Sequence, residues 1–221
     1  MVRNQYNEQL SLLKKLLAEM GNLNSSAIEY VAKELKAPSD ASALSEKIRG
    51  IEKSVDEKES EIERLCLKLI IRQQPVAGDL LFITSAMKMI TDMERIADQA
   101  ADISELLLKK TDCRCAVPKE MFVMAEAVQK MVAGVMYAFT AQSAEKAREI
   151  CRADDVVDEC FLKIKAKLTL LMHSNCEEES GNERALDMLM IAKYFERIGD
   201  HAVNVAEWVL FSLTGEHKKL G

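Results

Sequence analysis

The sequence contains one stretch twice: Glu94-Arg95-Ile96-Ala97-Asp98-Gln99-Ala100 and, 102 residues later, Glu196-Arg197-Ile198-Gly199-Asp200-His201-Ala202, with five of the seven positions identical. The same offset also aligns Glu105 with Glu207, Asp56 with Asp158 and Glu52 with Asp154. Self-similarity at a fixed period indicates an internal duplication. The two halves of the chain are therefore expected to share one fold.

Around the repeated stretch, apolar residues recur at helical spacing almost throughout the chain. Clusters of Pro, Gly, Asn, Ser and Asp interrupt the pattern and divide it into six predicted helices, at residues 4–35, 41–72, 79–110, 119–139, 142–173 and 181–213. The first helix is expected to loosen around 21–25, where Gly, Asn and Ser gather. The prediction is an all-α fold of two tandem antiparallel three-helix bundles, at residues 1–110 and 119–221, joined by a linker at 111–118.

The composition excludes several classes of protein. Aromatic residues make up 5% of the 221 residues and there are only eight glycines, too few for a β-sandwich or a glycine-rich phosphate loop. The formal net charge of −6 leaves no broad basic surface, so we expect no nucleic-acid partner; cations or basic protein surfaces fit better. There is no signal peptide and no run of 18 uncharged apolar residues, which predicts a cytoplasmic protein.

The six cysteines show no metal-binding or disulfide framework. They contain no Cys-x-x-Cys pair, and cytoplasmic proteins keep their thiols reduced. Cys113 and Cys115 form a Cys-x-Cys in the predicted linker, for which a soft-metal or redox role stays open.

Acidic residues occur in pairs four positions apart, and each half contains two such pairs. The pairs are Glu52/Asp56, Glu94/Asp98, Asp154/Asp158 and Glu196/Asp200. Residues four apart lie on one helix face. Asp56 precedes Pro75 by 19 residues and Glu94 follows it by 19, so antiparallel helices joined at that turn would bring the two pairs to one level. The second half has the same symmetry about its own loop.

Four carboxylates at one level of a bundle need a positive counter-charge, because each anion disfavours ionisation of the next. A cluster of hard cations, such as magnesium, manganese, calcium or iron, would supply it. In the competing interpretation, the acids lie on solvated helix faces and pair with Arg95 and Arg197. No histidine stands three residues after a glutamate, as a ferritin-like di-iron site would need, and no catalytic motif is present.

The chain resembles the PhoU family of phosphate-transport regulatory proteins over nearly its whole length. The resemblance is carried by residues 75–80 (PVAGDL), 92–98 (DMERIAD), 195–207 (FERIGDHAVNVAE) and 214–217 (TGEH). It departs from the family at Leu81, where an arginine is common, at Ala97, where the family has glycine, and in a longer start to the first bundle. These departures bear on the metal load of the first site and on the surface near the 73–81 turn.

Membership of this family would imply a cytoplasmic, non-enzymatic adaptor that is usually a homodimer. It would restrain the phosphate ABC transporter through its ATPase subunit, act on a phosphate-sensing histidine kinase, and meet the membrane only through these partners. The resemblance also implies one metal cluster per bundle, of iron, manganese or magnesium. Its ligands would be the eight paired acids, with Asp102 and Asn204 as weaker candidates and Arg95 and Arg197 balancing charge.

Two other functions stay open at the level of sequence. A carboxylate-bridged metal enzyme would use the same acids, although the missing histidine ligands disfavour it. A purely structural helical scaffold would need no metal at all.

Overall fold

The fold consists of six α-helices, seen in a computed structural model that describes residues 2–37, 41–109, 116–174 and 179–216. The helices are α1 (Val2–Lys36), α2 (Ala41–Gln73), α3 (Gly78–Leu108), α4 (Lys119–Thr140), α5 (Ala144–Ser174) and α6 (Glu179–Thr214). No strand occurs in these residues, and the predicted helix ends lie within two residues of the observed ones. The all-α prediction is confirmed.

The helices form two tandem three-helix bundles that share a central core. In each bundle the middle helix lies outermost: α2 packs on α1 and α3, and α5 packs on α4 and α6. The two bundles meet where α1 packs on α4 and α3 packs on α6. Four helices therefore surround the centre of the molecule, and α2 and α5 flank them.

The first helix does not loosen at residues 21–25, so that expectation was wrong. Helix α1 continues without a break through Gly21. This glycine lies against Met136 of α4. A Cβ on Gly21 would come within 2.1 Å of the Met136 sulfur. The glycine permits close helix packing here, and the surrounding side chains leave a void of only about 10 Å³.

Local chemistry explains several helix ends. The Ser143 hydroxyl accepts a hydrogen bond from the Lys146 backbone N–H, at 3.3 Å, and so caps the start of α5. Gly215, with φ of 72°, ends α6 in the left-handed conformation that favours glycine. Between α2 and α3, Gln74 and Ala77 adopt positive φ angles of 45° and 50°, which side chains disfavour.

Part of the predicted linker lies outside the described residues, and so do Cys113, Cys115 and Cys176. Three described cysteines, Cys66, Cys151 and Cys160, are free thiols. Burial raises the pKa of the Cys66 thiol to about 12, so this thiol stays protonated and unreactive at neutral pH.

One described helix, α4, is long and apolar enough to span a membrane. Half of its most apolar 18-residue segment is buried inside the molecule, against the neighbouring helices of the central core. Core helices show the same composition, so the apolar character of α4 is explained by its packing.

Candidate metal centre

Three predicted ligands come together between α2 and α3. Asp56, Glu94 and Asp98 each offer a carboxylate oxygen, and these oxygens lie within 4.8 Å of one another. The two helices are antiparallel, so the equal distances of Asp56 and Glu94 from the Pro75 turn place both at one level. The i,i+4 spacing then adds Asp98 on the same face of α3.

Two carboxyl groups of this first cluster, those of Glu94 and Asp56, have raised pKa values. The pKa of Glu94 rises from 4.5 to about 7, chiefly because of burial and then because of the negative charge of Asp98. Burial also raises the pKa of Asp56, and Asp98 adds to the effect. Arg95 lowers the pKa of Glu94 but does not cancel these two effects, so further positive charge would favour the ionised carboxylates.

Two further glutamates of α2 lie beside the first cluster. Glu52 stands outside the 4.8 Å group, but Asp98 and Asp56 raise its pKa in addition to burial. Glu59 was missed by the sequence analysis; it contributes to the raised pKa of Glu94. Glu59 corresponds to Phe161 in the other half, so comparing the two halves does not reveal it. Only its place one turn after Asp56 could have pointed to it.

The second cluster lies between α5 and α6. Burial raises the pKa of Asp154 to about 6, and Asp158, Asp200 and Glu196 raise it further. The pKa of Asp200 is also raised, first by burial and then by Glu196. These four acids face one another across the two helices, although they do not form a group as close as the first cluster.

Gly199 makes room for one of these carboxylates. Asp154 Oδ1 is buried without a hydrogen-bond donor, and a Cβ on Gly199 would lie only 2.8 Å from it. The repeat aligns Ala97 with Gly199 and Glu52 with Asp154. At these two positions the first half therefore has a residue with a Cβ and a longer acid.

Each cluster has a basic neighbour, but the two come from different positions. Arg95 Nε lies 3.3 Å from Glu94 Oε2, and Arg95 Nη1 lies 3.2 Å from Asp98 Oδ2. In the second cluster Lys193 pairs with Glu196 and lies 5.4 Å from the centre of the Phe161 ring. Burial raises the pKa of Asp102, and Arg197, predicted to balance the second cluster, partly offsets this rise across the boundary between the bundles.

The two weaker ligand candidates, Asp102 and Asn204, form contacts between the bundles. The Tyr194 hydroxyl of α6 donates a hydrogen bond to Asp102 of α3. Asn204 Nδ2 donates to Asp92 Oδ1 of α3 at 3.0 Å, and His201 Nδ1 lies 2.9 Å from the same oxygen. We call this α3–α6 contact the seam. It separates the two acidic clusters and holds the bundles in register.

A family model described as PhoU domain matches the chain twice, at residues 17–107 and 123–209. The chain belongs to the PhoU family. The two matched segments cover the three helices of each bundle, which confirms the resemblance drawn from the repeated motifs. Each match contains one pair of helices that carries an acidic cluster.

Two PhoU relatives align with nearly the whole of this chain. A phosphate-specific transport system accessory protein PhoU homolog of Clostridium acetobutylicum is 31% identical, over 100% of this chain and 99% of that protein. The homolog of Zymomonas mobilis is 33% identical, over 96% and 87%. Relatives of this chain are thus accessory proteins of phosphate transport.

Solved PhoU structures have the same fold. The crystal structure of PhoU from Pseudomonas aeruginosa matches with a TM-score of 0.84 at 26% identity, over 96% of this chain and 100% of that one. The phosphate transport system regulatory protein PhoU of Streptococcus pneumoniae matches with a TM-score of 0.87 at 25% identity, over 97% and 100%. The six-helix architecture is therefore that of the PhoU family.

Proposed function

We propose that this chain is a regulatory adaptor of phosphate uptake that carries metal ions in its two acidic clusters. Membership of the PhoU family supports the role in phosphate transport. The observation that carries the metal proposal is the convergence of Asp56, Glu94 and Asp98 between α2 and α3. Carboxylates gathered at one place repel one another, and a bound cation would offset that repulsion.

The donors of both clusters fit a hard cation. All are carboxylate oxygens, which suit magnesium, manganese or iron. In the second cluster the buried Asp154 Oδ1 lacks a hydrogen-bond donor, and a bound cation would satisfy it. Eight acids would hold the metal: Glu52, Asp56, Glu94 and Asp98 in the first bundle, and Asp154, Asp158, Glu196 and Asp200 in the second.

The proposed role is negative regulation. The adaptor would restrain the high-affinity phosphate transporter through its ATPase subunit, and the phosphate-starvation response through the sensor histidine kinase. We propose a cytoplasmic homodimer that reaches the membrane through these partners. A metal enzyme is the weaker alternative, because the one histidine next to a predicted ligand, His201, is engaged with Asp92 in the seam.

The first experiment measures metal content by elemental analysis of untagged protein purified without chelator. We expect several equivalents per chain in the wild type. Glu94→Ala/Asp98→Ala should lose the metal of one cluster and Glu196→Ala/Asp200→Ala that of the other. The matched control is Glu145→Ala/Glu149→Ala, a pair of exposed acids of α5 with the same spacing.

Two results would contradict the metal proposal: a metal-free wild-type protein, or equal metal content in all three variants. The regulatory role has its own test in the source organism. Deletion of the gene should raise phosphate uptake at high external phosphate, and the wild-type gene should restore repression. Unchanged uptake after deletion, with no second copy of the gene, would contradict the adaptor role.

A further inference from the structure

A line of three unpaired cations runs along the end of α2. Arg64, Lys68 and Arg72 follow one another at every fourth position, so they lie above one another on one side of the helix. All three are exposed, and none forms an ion pair within the described parts of the chain. Like charges at this spacing repel each other unless an outside anion neutralises them.

An apolar line lies directly beside the cations. Leu67 and Ile71 stand on the outer side of α2 with 43% and 75% of their surface exposed, and Val76 in the following turn is 77% exposed. Large apolar side chains that cluster on a surface mark sites of contact with other molecules. Together, Arg64, Leu67, Lys68, Ile71, Arg72 and Val76 form what we call the α2 stripe.

The turn at the end of the α2 stripe is held in place. Gln74 and Ala77 both have positive φ angles, on either side of Pro75 and Val76. The Tyr6 hydroxyl donates a hydrogen bond of 2.9 Å to Asp79 and so ties the turn to α1. The sequence from Arg64 to Gly78 contains no acidic residue, so the segment that forms the stripe is purely basic in its charges.

The helix dipole accounts for only part of this pattern. A cation in the last turn of a helix interacts favourably with the exposed carbonyl groups, which explains Arg72. The effect does not extend back two turns to Arg64. Neither does it explain why Ile71 and Val76 are exposed to solvent.

We propose that the α2 stripe is the docking surface for an acidic amphipathic helix of a partner protein. On such a helix, carboxylates at every fourth position rise by about 6 Å each, the same repeat as the three cations. Its neighbouring apolar residues would cover Leu67, Ile71 and Val76. This inference rests on the proposed adaptor function, for which it supplies the contact surface.

A membrane surface fits the α2 stripe less well. A helix that lies in a membrane interface buries a wide apolar face and keeps its cations at the border of that face. Here the apolar line is one residue wide and the cations stand immediately next to it. A single partner helix matches both lines at once.

The test uses a synthetic 20-residue helical peptide with Glu at every fourth position and Leu on the adjacent line. Its binding to the full chain is followed by fluorescence polarisation. The variant Arg64→Glu/Lys68→Glu/Arg72→Glu should bind at least tenfold more weakly, and Ile71→Ser should also weaken binding. The matched control is Lys33→Glu/Lys53→Glu/Lys165→Glu, three exposed lysines elsewhere on the molecule.

Four results would overturn the proposal. They are no binding of the peptide to the wild type, an equal loss in the control, stripe-dependent binding to phosphatidylglycerol vesicles in place of the peptide, and loss of the homodimer in the stripe variant. Metal content should be unchanged in that variant, while phosphate uptake rises. If the cluster variants had no effect but the stripe variant still lost the peptide, the metal proposal would fail and the docking surface would stand.

Discussion

At the scale of single residues, Gly199 has the most specific role in the second cluster. We predict that Gly199→Ala removes the metal of the second cluster and leaves that of the first. The new Cβ would come 2.8 Å from Asp154 Oδ1 and displace the carboxylate. Alanine has the higher helix propensity, by up to about 1 kcal/mol, so the chain should stay folded. Elemental analysis together with the melting temperature checks both expectations.

The matched control is the reverse exchange in the first half, Ala97→Gly. It removes a Cβ and adds no atom near the carboxylates, so the metal content of the first cluster should be retained. Full metal content in Gly199→Ala would contradict the role given to the glycine.

The raised pKa of Glu94 predicts how stability depends on pH. Its pKa is about 7 in the folded protein and near 4.5 ordinarily, so between these values the folded state binds more protons than the unfolded state. The stability of the metal-free protein should therefore fall as pH rises from 4.5 to 7 and then level off. Glu94→Gln should flatten this part of the profile.

The pH profile is measured as the melting temperature of protein treated with chelator, at pH 5 and at pH 7.5. Glu46→Gln, a change at an exposed glutamate far along α2 from the cluster, should keep the wild-type difference. An identical profile for Glu94→Gln would show that this carboxyl ionises normally.

At the scale of helices, the seam between α3 and α6 should stabilise the whole molecule. Asp92→Ala removes the acceptor of two contacts, from His201 and from Asn204. Because Asn204 is exposed and water can replace its acceptor, most of the loss comes from the part-buried His201 contact, and the free energy of unfolding should fall by about 1 kcal/mol. Urea denaturation measures the change.

Asp155→Ala removes an exposed carboxylate from α5 and provides the comparison for the seam. Its effect on the free energy of unfolding should stay within about 0.5 kcal/mol. If both substitutions had equal effects, the seam hydrogen bonds would contribute nothing of their own.

The sequence predicts the helices well because the apolar period and the few breaks determine them. It also predicts that Asp56, Glu94 and Asp98 meet, since their distances from one turn are equal. It does not predict that Lys193, rather than Arg197, lies against the second cluster. The rotation of α6 turns Arg197 toward Asp102, and the packing of the two bundles sets that rotation.

Some features could not be found because the two halves differ. Glu59 has no acidic counterpart, so only its spacing from Asp56 could have pointed to it. Gly21 of α1 lies against Met136 of the other bundle, and the residues next to Gly21 in the sequence do not predict that contact.

At the scale of the whole molecule, the shared core predicts that neither half is stable by itself. Residues 1–110 alone would expose the faces of α1 and α3 that pack on α4 and α6. We expect this fragment to aggregate or to unfold without a cooperative transition. Circular dichroism and analytical ultracentrifugation check this, and a fragment that melts cooperatively as a monomer would contradict it.

Expressed together, residues 1–110 and 119–221 should assemble into a complex with the melting behaviour of the intact chain at high concentration. Dilution should lower the melting temperature of this complex, because association of two chains depends on concentration. A melting temperature independent of dilution would indicate that the two bundles are stable separately.

The internal repeat relates two hydrogen bonds of the seam to each other. Asp92 bonds Asn204, and Tyr194 bonds Asp102; since 92 corresponds to 194 and 102 to 204, the two bonds exchange places under the duplication. Reciprocal contacts of this kind are the mark of a two-fold symmetric interface. Duplication and fusion of a three-helix ancestor that associated with a second copy of itself would leave this pattern. In a fused chain each half can change separately, and the halves now differ at Lys193 and Phe161, which correspond to Thr91 and Glu59.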